Sequence, residues 1–284
     1  MQSLKAIKTR IQSVQNTQKL TKAMKFVAAA KLRRAQKGAI EARSCSKAIY
    51  DILGRVSDKC KLDPPALMKR PDDINNIDCL IITSDKGLCG GFNENLLHYV
   101  EEKINEHISH GINVNLFVYG EKGWSYLKAR KYQVSKYDGD DNLSAVINYY
   151  SEILVNRFLS GKSDGAYIVF NRFISAGEQR PTGWNLLPVY WPNENAGKSI
   201  DYVYEPTQKD VLDKVIESVI DRSLMQSILE SRASELAARM TAMDNATRNA
   251  DEMISHLTLE YHKARQSSIT MELLDIVGGA EALR

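Results

Sequence analysis

Residues 211–276 read VLDKVIESVIDRSLMQSILESRASELAARMTAMDNATRNADEMISHLTLEYHKARQSSITMELLDI, 66 residues with no proline and no glycine. At about 1.5 Å of rise per residue a continuous helix over this stretch is roughly 100 Å long, about twice the diameter of a compact globule built from a chain of this length. Such a helix cannot lie inside the globule. Within it Leu229, Ala233, Leu236, Met240, Met243, Thr247, Ala250, Ile254, Leu257, Tyr261 and Ala264 recur at alternating steps of four and three. That is a heptad seam, and a heptad seam needs a partner helix.

The partner lies at the other end of the chain. Leu4, Ile7, Ile11, Val14, Gln18, Thr21, Lys25, Ala28, Leu32, Ala35, Ala39, Ala42, Ser46, Ile49, Leu53 and Val56 follow the same alternation, and twelve of these sixteen are apolar. All seven prolines, from Pro64 to Pro206, fall between the two seams. The middle of the chain is therefore expected to fold separately and to hold the inner ends of the helices together, which makes them antiparallel. Pairing outward sets Val56 near Leu212 and Leu4 near Ala264. The alanines of the first seam allow close approach, while Gly38 and Gly54 are its weak points. Residues 265–277 are left projecting alone, with Ile269, Leu273, Leu274, Ile276 and Val277 bare, so another protein is expected to enclose them.

Between the seams, residues 58–76 carry Pro64, Pro65 and Pro71 and read as a linker. Ile77–Ser84 is a short apolar strand, Asp85–Gly91 (DKGLCGG) a glycine-rich turn, and Asn93 can cap a helix running to about Ser109. Strand Val114–Tyr119 precedes a helix from about Lys122 to Arg130. Tyr132–Tyr137 reads as an edge strand, Leu143–Leu159 as a helix and Ala166–Phe173 as another apolar strand. Asn185–Tyr190 and Ile200–Tyr204 are expected to add antiparallel strands. This alternation predicts a mostly parallel sheet covered by helices. The fold class is α/β: a long antiparallel coiled coil of the N- and C-terminal helices plus a central Rossmann-like domain. The expected divisions are 1–59, 60–76, 77–206 and 207–284.

Composition, with 43% hydrophobic and 26% charged residues, fits a soluble folded chain. No apolar run reaches the roughly 20 residues a bilayer crossing needs. Cys45, Cys60, Cys79 and Cys89 have neither C-x-x-C nor metal-ligand spacing, which fits reduced thiols. The net charge of +3 hides an asymmetry, since residues 1–40 hold ten Lys or Arg and no acid and the remainder sums to −7. A basic amphipathic helix suits an organelle transit peptide, an anionic membrane surface, nucleic acid or an acidic protein. A discarded presequence has no reason to share a seam with the far end of the chain, and an acidic protein surface is the preferred partner.

No catalytic constellation emerges. GLCGG lacks G-x-G-x-x-G spacing, and the chain contains no G-x-x-x-x-G-K-[ST]. Cys89 has no histidine placed by the sequence to activate it. His107 and His110 are three apart without further ligands nearby, and Asp72, Asp73, Asp138, Asp140 and Asp141 sit in polar stretches where solvated acids are expected. No catalytic residue, cofactor or metal is assigned.

Three separated stretches carry a resemblance: TKAMKFVAAAKLRRAQ at 21–36, SDKGLCGGFN at 84–93 and LTLEYHKARQSSITMELLDIVGGAEAL at 257–283. They resemble the gamma subunit of the F-type ATP synthase, and length and layout agree along the whole chain. The resemblance implies a central rotor shaft inside a ring of three alpha and three beta subunits, one copy per complex, with the middle domain against the epsilon subunit and the c-ring. It implies that Arg265 and Gln266 meet a catch loop of a beta subunit and that Thr270 and Glu272 lie in the same contact. Met24 and Lys25 would pass the acidic lever loop of beta, with Arg239 on the opposing helix. Lys86 and Phe26 are mild departures from the family pattern. No cysteine follows Cys89, so the paired cysteines of chloroplast members are missing. A non-catalytic subunit is implied, peripheral to the membrane on the cytoplasmic side in a bacterium or the matrix side in a mitochondrion. The competing readings are a standalone coiled-coil adaptor or nucleic-acid-binding protein, and a Rossmann-type enzyme with helical extensions.

Overall fold

The structure, a computed structural model, describes residues 4–57, 64–137, 139, 142–190, 204–205 and 207–281, with side-chain surroundings as far as 277. The elements are α1 (Leu4–Ser57), β1 (Asn76–Ile82), α2 (Phe92–Ser109), β2 (Asn113–Tyr119), α3 (Glu121–Ala129), β3 (Val134–Lys136), α4 (Leu143–Leu159), β4 (Gly165–Phe173), β5 (Gln179–Leu187) and α5 (Gln208–Glu281). They divide into two compact units, Ala30–Ala238 and Met1–Ala29 with Arg239–Arg284.

The first unit is built on a five-stranded sheet in the order β3-β2-β1-β4-β5. β1 pairs in parallel with β2 and β4, β3 pairs in parallel with β2, and β5 runs antiparallel to β4. Successive side chains of a strand point to opposite faces. On β1 this sends Cys79 and Ile81 to the face covered by Leu96, Leu97 and Val100 of α2 and Leu127 of α3. Leu80 and Ile82 go to the other face, where they join Tyr150 and Leu154 of α4, Leu53 and Val56 of α1, and Leu212, Ile216, Ile220 and Leu224 of α5. Burial of each such aliphatic side chain contributes roughly 1.5–3 kcal/mol. The terminal helices thus form one wall of this core. For that reason α5 is buried there on more of its circumference than a two-helix seam requires.

Several sequence expectations are adjusted. Asn93 does not cap α2: the helix begins at Phe92 after Gly91, which offers no side-chain cap. The Asn93 side chain instead accepts from the Ser84 N–H at 3.1 Å and ties the glycine-rich turn to the first turn of the helix. The last strand runs from Gln179 to Leu187 rather than over 185–190, and it tolerates Pro181 because it lies at the sheet edge. Of the strand expected at 200–204, residues 200–203 lie outside the described residues. The C-terminal helix extends past Ile276 through Gly278 and Gly279 to Glu281, glycine lowering helix propensity by only about 1 kcal/mol where no proline follows.

The carboxyl ends of β1 and β2 are closed by their own loops. Asp85 Oδ1 accepts from the Glu121 N–H at 3.0 Å, and Thr83 Oγ1 accepts from the Gly123 N–H at 3.0 Å. Gly120, with φ of 104°, passes so near Thr83 that a Cβ there would lie 2.4 Å from its carbonyl oxygen, so this turn admits only glycine. Cys79 and Cys89 are buried and Cys45 is exposed. Burial pushes the Cys79 thiol up to about 12, and the thiolate is the reactive form. A folded chain carrying Cys60→Ser is therefore expected to take up one equivalent of a thiol reagent at pH 8, at Cys45. Rapid uptake of a second equivalent without denaturant would contradict this packing.

Candidate partner interface

The second unit is a helix pair. Gln18 Nε2 donates to Asp251 Oδ1, Thr21 and Thr247 share a hydroxyl hydrogen bond of 2.8 Å, and Lys25 Nζ lies 2.5 Å from Asp244 Oδ1. Partner numbers fall as residue numbers rise, so the helices are antiparallel, as the two seams require. Ile7, Ala28, Met243, Ala250 and Leu257 are the buried apolar knobs around these polar layers. Lys25, with Arg248 beside it, holds the Asp244 carboxyl below its ordinary value. The stabilisation from this layer is accordingly present above the ordinary carboxylate range and lost as pH falls through the lowered value.

Among the described residues, most of the helix α5 beyond Ala264 is exposed. Ile269, Met271, Leu273, Leu274, Ile276 and Val277 are exposed, Ile276 by 68%. Arg265, Gln266, Thr270 and Glu272 are all exposed on this stretch, and Thr270 Oγ1 donates to the Gln266 carbonyl at 2.9 Å. At about 100° per residue Gln266 and Thr270 share a face with Leu273, while Arg265 and Glu272 share another with Ile269. Each polar group is thus set among apolar neighbours on a bare helix. Glu272 also lines a cavity of about 660 Å³ together with Leu4, Ile7, Ala264 and Met271.

Of the three residues assigned lower on the helix pair, Met24 and Arg239 are half-buried. Lys25 is committed to Asp244, with 37% of its side chain exposed. Arg239 precedes Asp244 by five residues, about 140° round the helix, so the structure does not bring Arg239 onto the face that Lys25 meets. The acidic partners Asp244 and Asp251 were missed in the sequence, whereas Thr247 and its partner Thr21 were both read there as seam positions. The signal was available, because Gln18 and Lys25 are seam positions one heptad apart and Asp244 and Asp251 keep the same spacing.

The remaining candidates do not assemble a site. Cys89 Sγ receives Asn93 Nδ2 at 3.4 Å within the glycine-rich turn. His107 packs against the Tyr167 ring at 5.7 Å, and His110 Nδ1 is 2.7 Å from the Glu106 carbonyl. Among the described residues no group of three or more His, Cys, Asp or Glu is placed to hold a metal ion. Asp72 and Asp73 are exposed, and Asp138, Asp140 and Asp141 lie outside the described residues. Two buried charges escaped the sequence reading. Asp78, inside the apolar run of β1, is held by Arg157, and Glu230 on α5 by Arg43 of α1.

Comparison with known proteins agrees with this layout. The family model described as ATP synthase matches residues 3–283. The ATP synthase gamma chains of Chlorobium phaeobacteroides and Geotalea uraniireducens are each 40% identical to this chain over all of it, with 99% and 100% of their own lengths covered. That of an Anaeromyxobacter strain is 38% identical, with both chains fully covered. A chain from the Euglena gracilis mitochondrial ATP synthase, solved as OSCP, F1 and c-ring, superposes with a TM-score of 0.65 at 17% identity, covering 99% of this chain and 94% of its own. A chain of the central stalk and c-ring structure from Tetrahymena thermophila gives a TM-score of 0.58 at 24% identity, covering 80% and 99%. At those identities the solved structures show a common fold, whereas the 40% identity kept from end to end, on both helices and the sheet between them, shows descent. This chain belongs to the ATP synthase gamma chain family.

Proposed function

We propose that this ATP synthase gamma chain is the rotating central shaft of its complex, coupling ion-driven rotation of a c-ring to ATP synthesis or hydrolysis in three beta subunits. The observation that carries the reading is the bare end of α5, where Leu273, Leu274, Ile276 and Val277 are each more than half exposed and need an enclosing sleeve of protein. The ring of alpha and beta subunits supplies that sleeve. The epsilon subunit and the c-ring engage the α/β unit, in keeping with the Tetrahymena central stalk having been solved together with its c-ring. A shaft without threefold symmetry, turning in a ring that has it, biases the three catalytic sites differently at each position. Torque thereby becomes a shift in nucleotide affinity.

Arg265 and Gln266 are the directed contacts to one beta subunit, Thr270 and Glu272 flank them, and the apolar residues between act as a bearing. Met24, Lys25 and Arg239 face the acidic lever loop lower down, Lys25 only with the part of its ammonium that Asp244 leaves open. Arg265 brings a planar fork of donors and Gln266 both donors and an acceptor. Such charge-assisted bonds contribute about 1.5–3 kcal/mol each and must break at every step of rotation. Replacing both by alanine is expected to lower ATP turnover by roughly tenfold while assembly persists. Unchanged turnover in a complex shown to contain the double variant would leave the tip a passive plug.

The chain carries no chemistry of its own. In an open α/β sheet a nucleotide would sit at the carboxyl ends of the strands, between β1 and β4. Near those ends α5 packs on the sheet, its Ser231 and Ser234 hydroxyls donating to the Ile82 and Asn171 carbonyls, which supports this reading. The isolated chain is expected to show no ATPase activity, and steady turnover by a preparation free of beta subunit would refute this. Among the described residues no helix is long and apolar enough to cross a membrane. The subunit is peripheral, on the cytoplasmic side in a bacterium. Co-elution of alpha and beta subunits with the chain tests the whole reading. Salt-sensitive capture of DNA or RNA in their place would favour the basic-adaptor alternative.

A further inference from the structure

Where α5 crosses the sheet it buries a polar stripe. Ser223, Gln226, Ser227, Glu230, Ser231 and Ser234 are each at most 6% exposed and recur at steps of three and four, on one side of the helix. Their bonds lead to three other elements. Ser231 Oγ donates to the Ile82 carbonyl at 3.4 Å, at the end of β1, and Ser234 Oγ donates to the Asn171 carbonyl of β4 at 2.8 Å. Glu230 Oε1 accepts from Gln226 Nε2 at 2.8 Å and from Arg43 Nε at 3.2 Å. Its Oε2 faces Arg43 Nη2 at 3.1 Å as an ion pair without hydrogen-bond geometry. Arg43, on α1, also donates to the Phe173 carbonyl that ends β4, at 3.4 Å.

Stability alone does not call for this stripe. Just before the stripe the same helix buries Ile216, Val219 and Ile220, and within it Leu224 and Ile228, against the same core, and apolar replacements for a buried ion pair are often neutral or stabilising. Apolar packing and hydrogen bonding differ in direction. Burial of apolar area is non-directional, whereas a hydrogen bond weakens steeply when its donor slides or turns off line. A stripe bonded to the carboxyl ends of two strands and to the companion helix therefore resists turning of α5 against the sheet.

We propose that this buried polar stripe is a torsional key, with Arg43, Glu230, Ser231 and Ser234 as positioning residues that lock α1 and α5 to the sheet. A turning moment applied to the α/β fold then reaches the helices without slip. This rests on the rotor reading and adds to it the place where torque enters the helix pair.

The test uses the complete membrane complex in sealed vesicles. A fully apolar joint carries Arg43→Met, Glu230→Met, Ser231→Ala and Ser234→Ala, and a minimal one carries the two serine changes alone. The apolar joint is expected to leave the thermal midpoint of the isolated chain within about 3 °C of the parent, or above it, and to leave assembly intact. Gradient-driven ATP synthesis should fall by about fivefold, the scale on which residues between two sites modulate their coupling. Unloaded ATP hydrolysis should stay within about twofold. Restoring Arg43 and Glu230, which leaves the serine pair, should return most of the lost synthesis, with a smaller loss remaining in the same direction. Synthesis at the parent rate in the apolar joint overturns the key, as does a loss that tracks a lowered thermal midpoint. If the four changes prevent folding, the serine pair decides, and its parental synthesis rate overturns the proposal. Failure of the rotor reading itself looks different: vesicles lacking this chain altogether would synthesise ATP as fast as complete ones.

Discussion

Leu257→Asp is expected to open the outer end of the helix pair while leaving the sheet intact. Leu257 is 4% exposed, and the pairing of Thr21 with Thr247 and of Gln18 with Asp251 continues to place it against the Ile11 region of α1. An aspartate there loses the leucine's packing and buries a carboxylate with no cation assigned to it, a combined cost of about 3–5 kcal/mol. The cost falls on a two-helix segment near its end, which can open by itself. The expected signature is therefore local: amide hydrogens of the first turns of α1 and of α5 around residues 250–264 should exchange much faster. Those of β1 and β4 should keep their protection, and the thermal midpoint of the main transition should hardly move. In the assembled complex, coupling should suffer more than subunit composition. Unchanged exchange in both helix ends would mean that Leu257 does not sit in a seam.

The second large effect lies in the sheet. Arg157→Ala removes the partner of Asp78, whose side chain is fully buried on the central strand. Arg157 Nε donates to Oδ2 at 2.8 Å and Nη2 to Oδ1 at 3.0 Å, while Asn115 Nδ2 adds a third bond at 2.9 Å. Asp78 in turn holds the guanidinium above its ordinary value. Breaking a buried pair by removing one member costs about 3–5 kcal/mol. Because 27% of the Arg157 side chain is exposed, water can replace part of the lost solvation, and the lower end, about 3 kcal/mol, is the expectation. For a folded unit of this size the midpoint should drop by about 6–12 °C in a thermal scan of the isolated chain. Adding Asp78→Leu should recover most of that drop, since the orphaned charge rather than the missing bond carries the cost. A single variant as stable as the parent would show that Asp78 is adequately solvated without Arg157.

The two seams are legible in the sequence because they depend only on period. Each of the sixteen positions read off the N-terminal helix is buried or half-buried, and so is each of the eleven read off the C-terminal one. A helix repeats its faces every few residues, so which side is dry is written locally. The proline distribution adds that the chain must turn back between the helices, and the antiparallel contacts of Lys25 and Thr21 follow from that. The strands of the middle unit are legible for a similar reason, being short β-branched runs separated by helical ones. The bare tip is legible too, because the shorter seam ends at Leu4 while the apolar pattern of the longer helix runs on.

Partners are not legible in this way. Lys25 finds Asp244 across 219 residues of chain, Arg43 finds Glu230 across 187 and Arg157 finds Asp78 across 79. Nothing within one heptad names the residue that will stand opposite: for Lys25 only the matched seven-residue spacing of Gln18 with Lys25 and of Asp244 with Asp251 points to its acid, and Arg43 and Arg157 have no such spacing to read. The same limit hides the second wall of α5. Its residues 223–234 mix serine, glutamine and glutamate into positions that a two-helix reading leaves to solvent. They are dry because the ends of β1 and β4 close over them, and what buries a helix face is decided by what the rest of the chain brings to it.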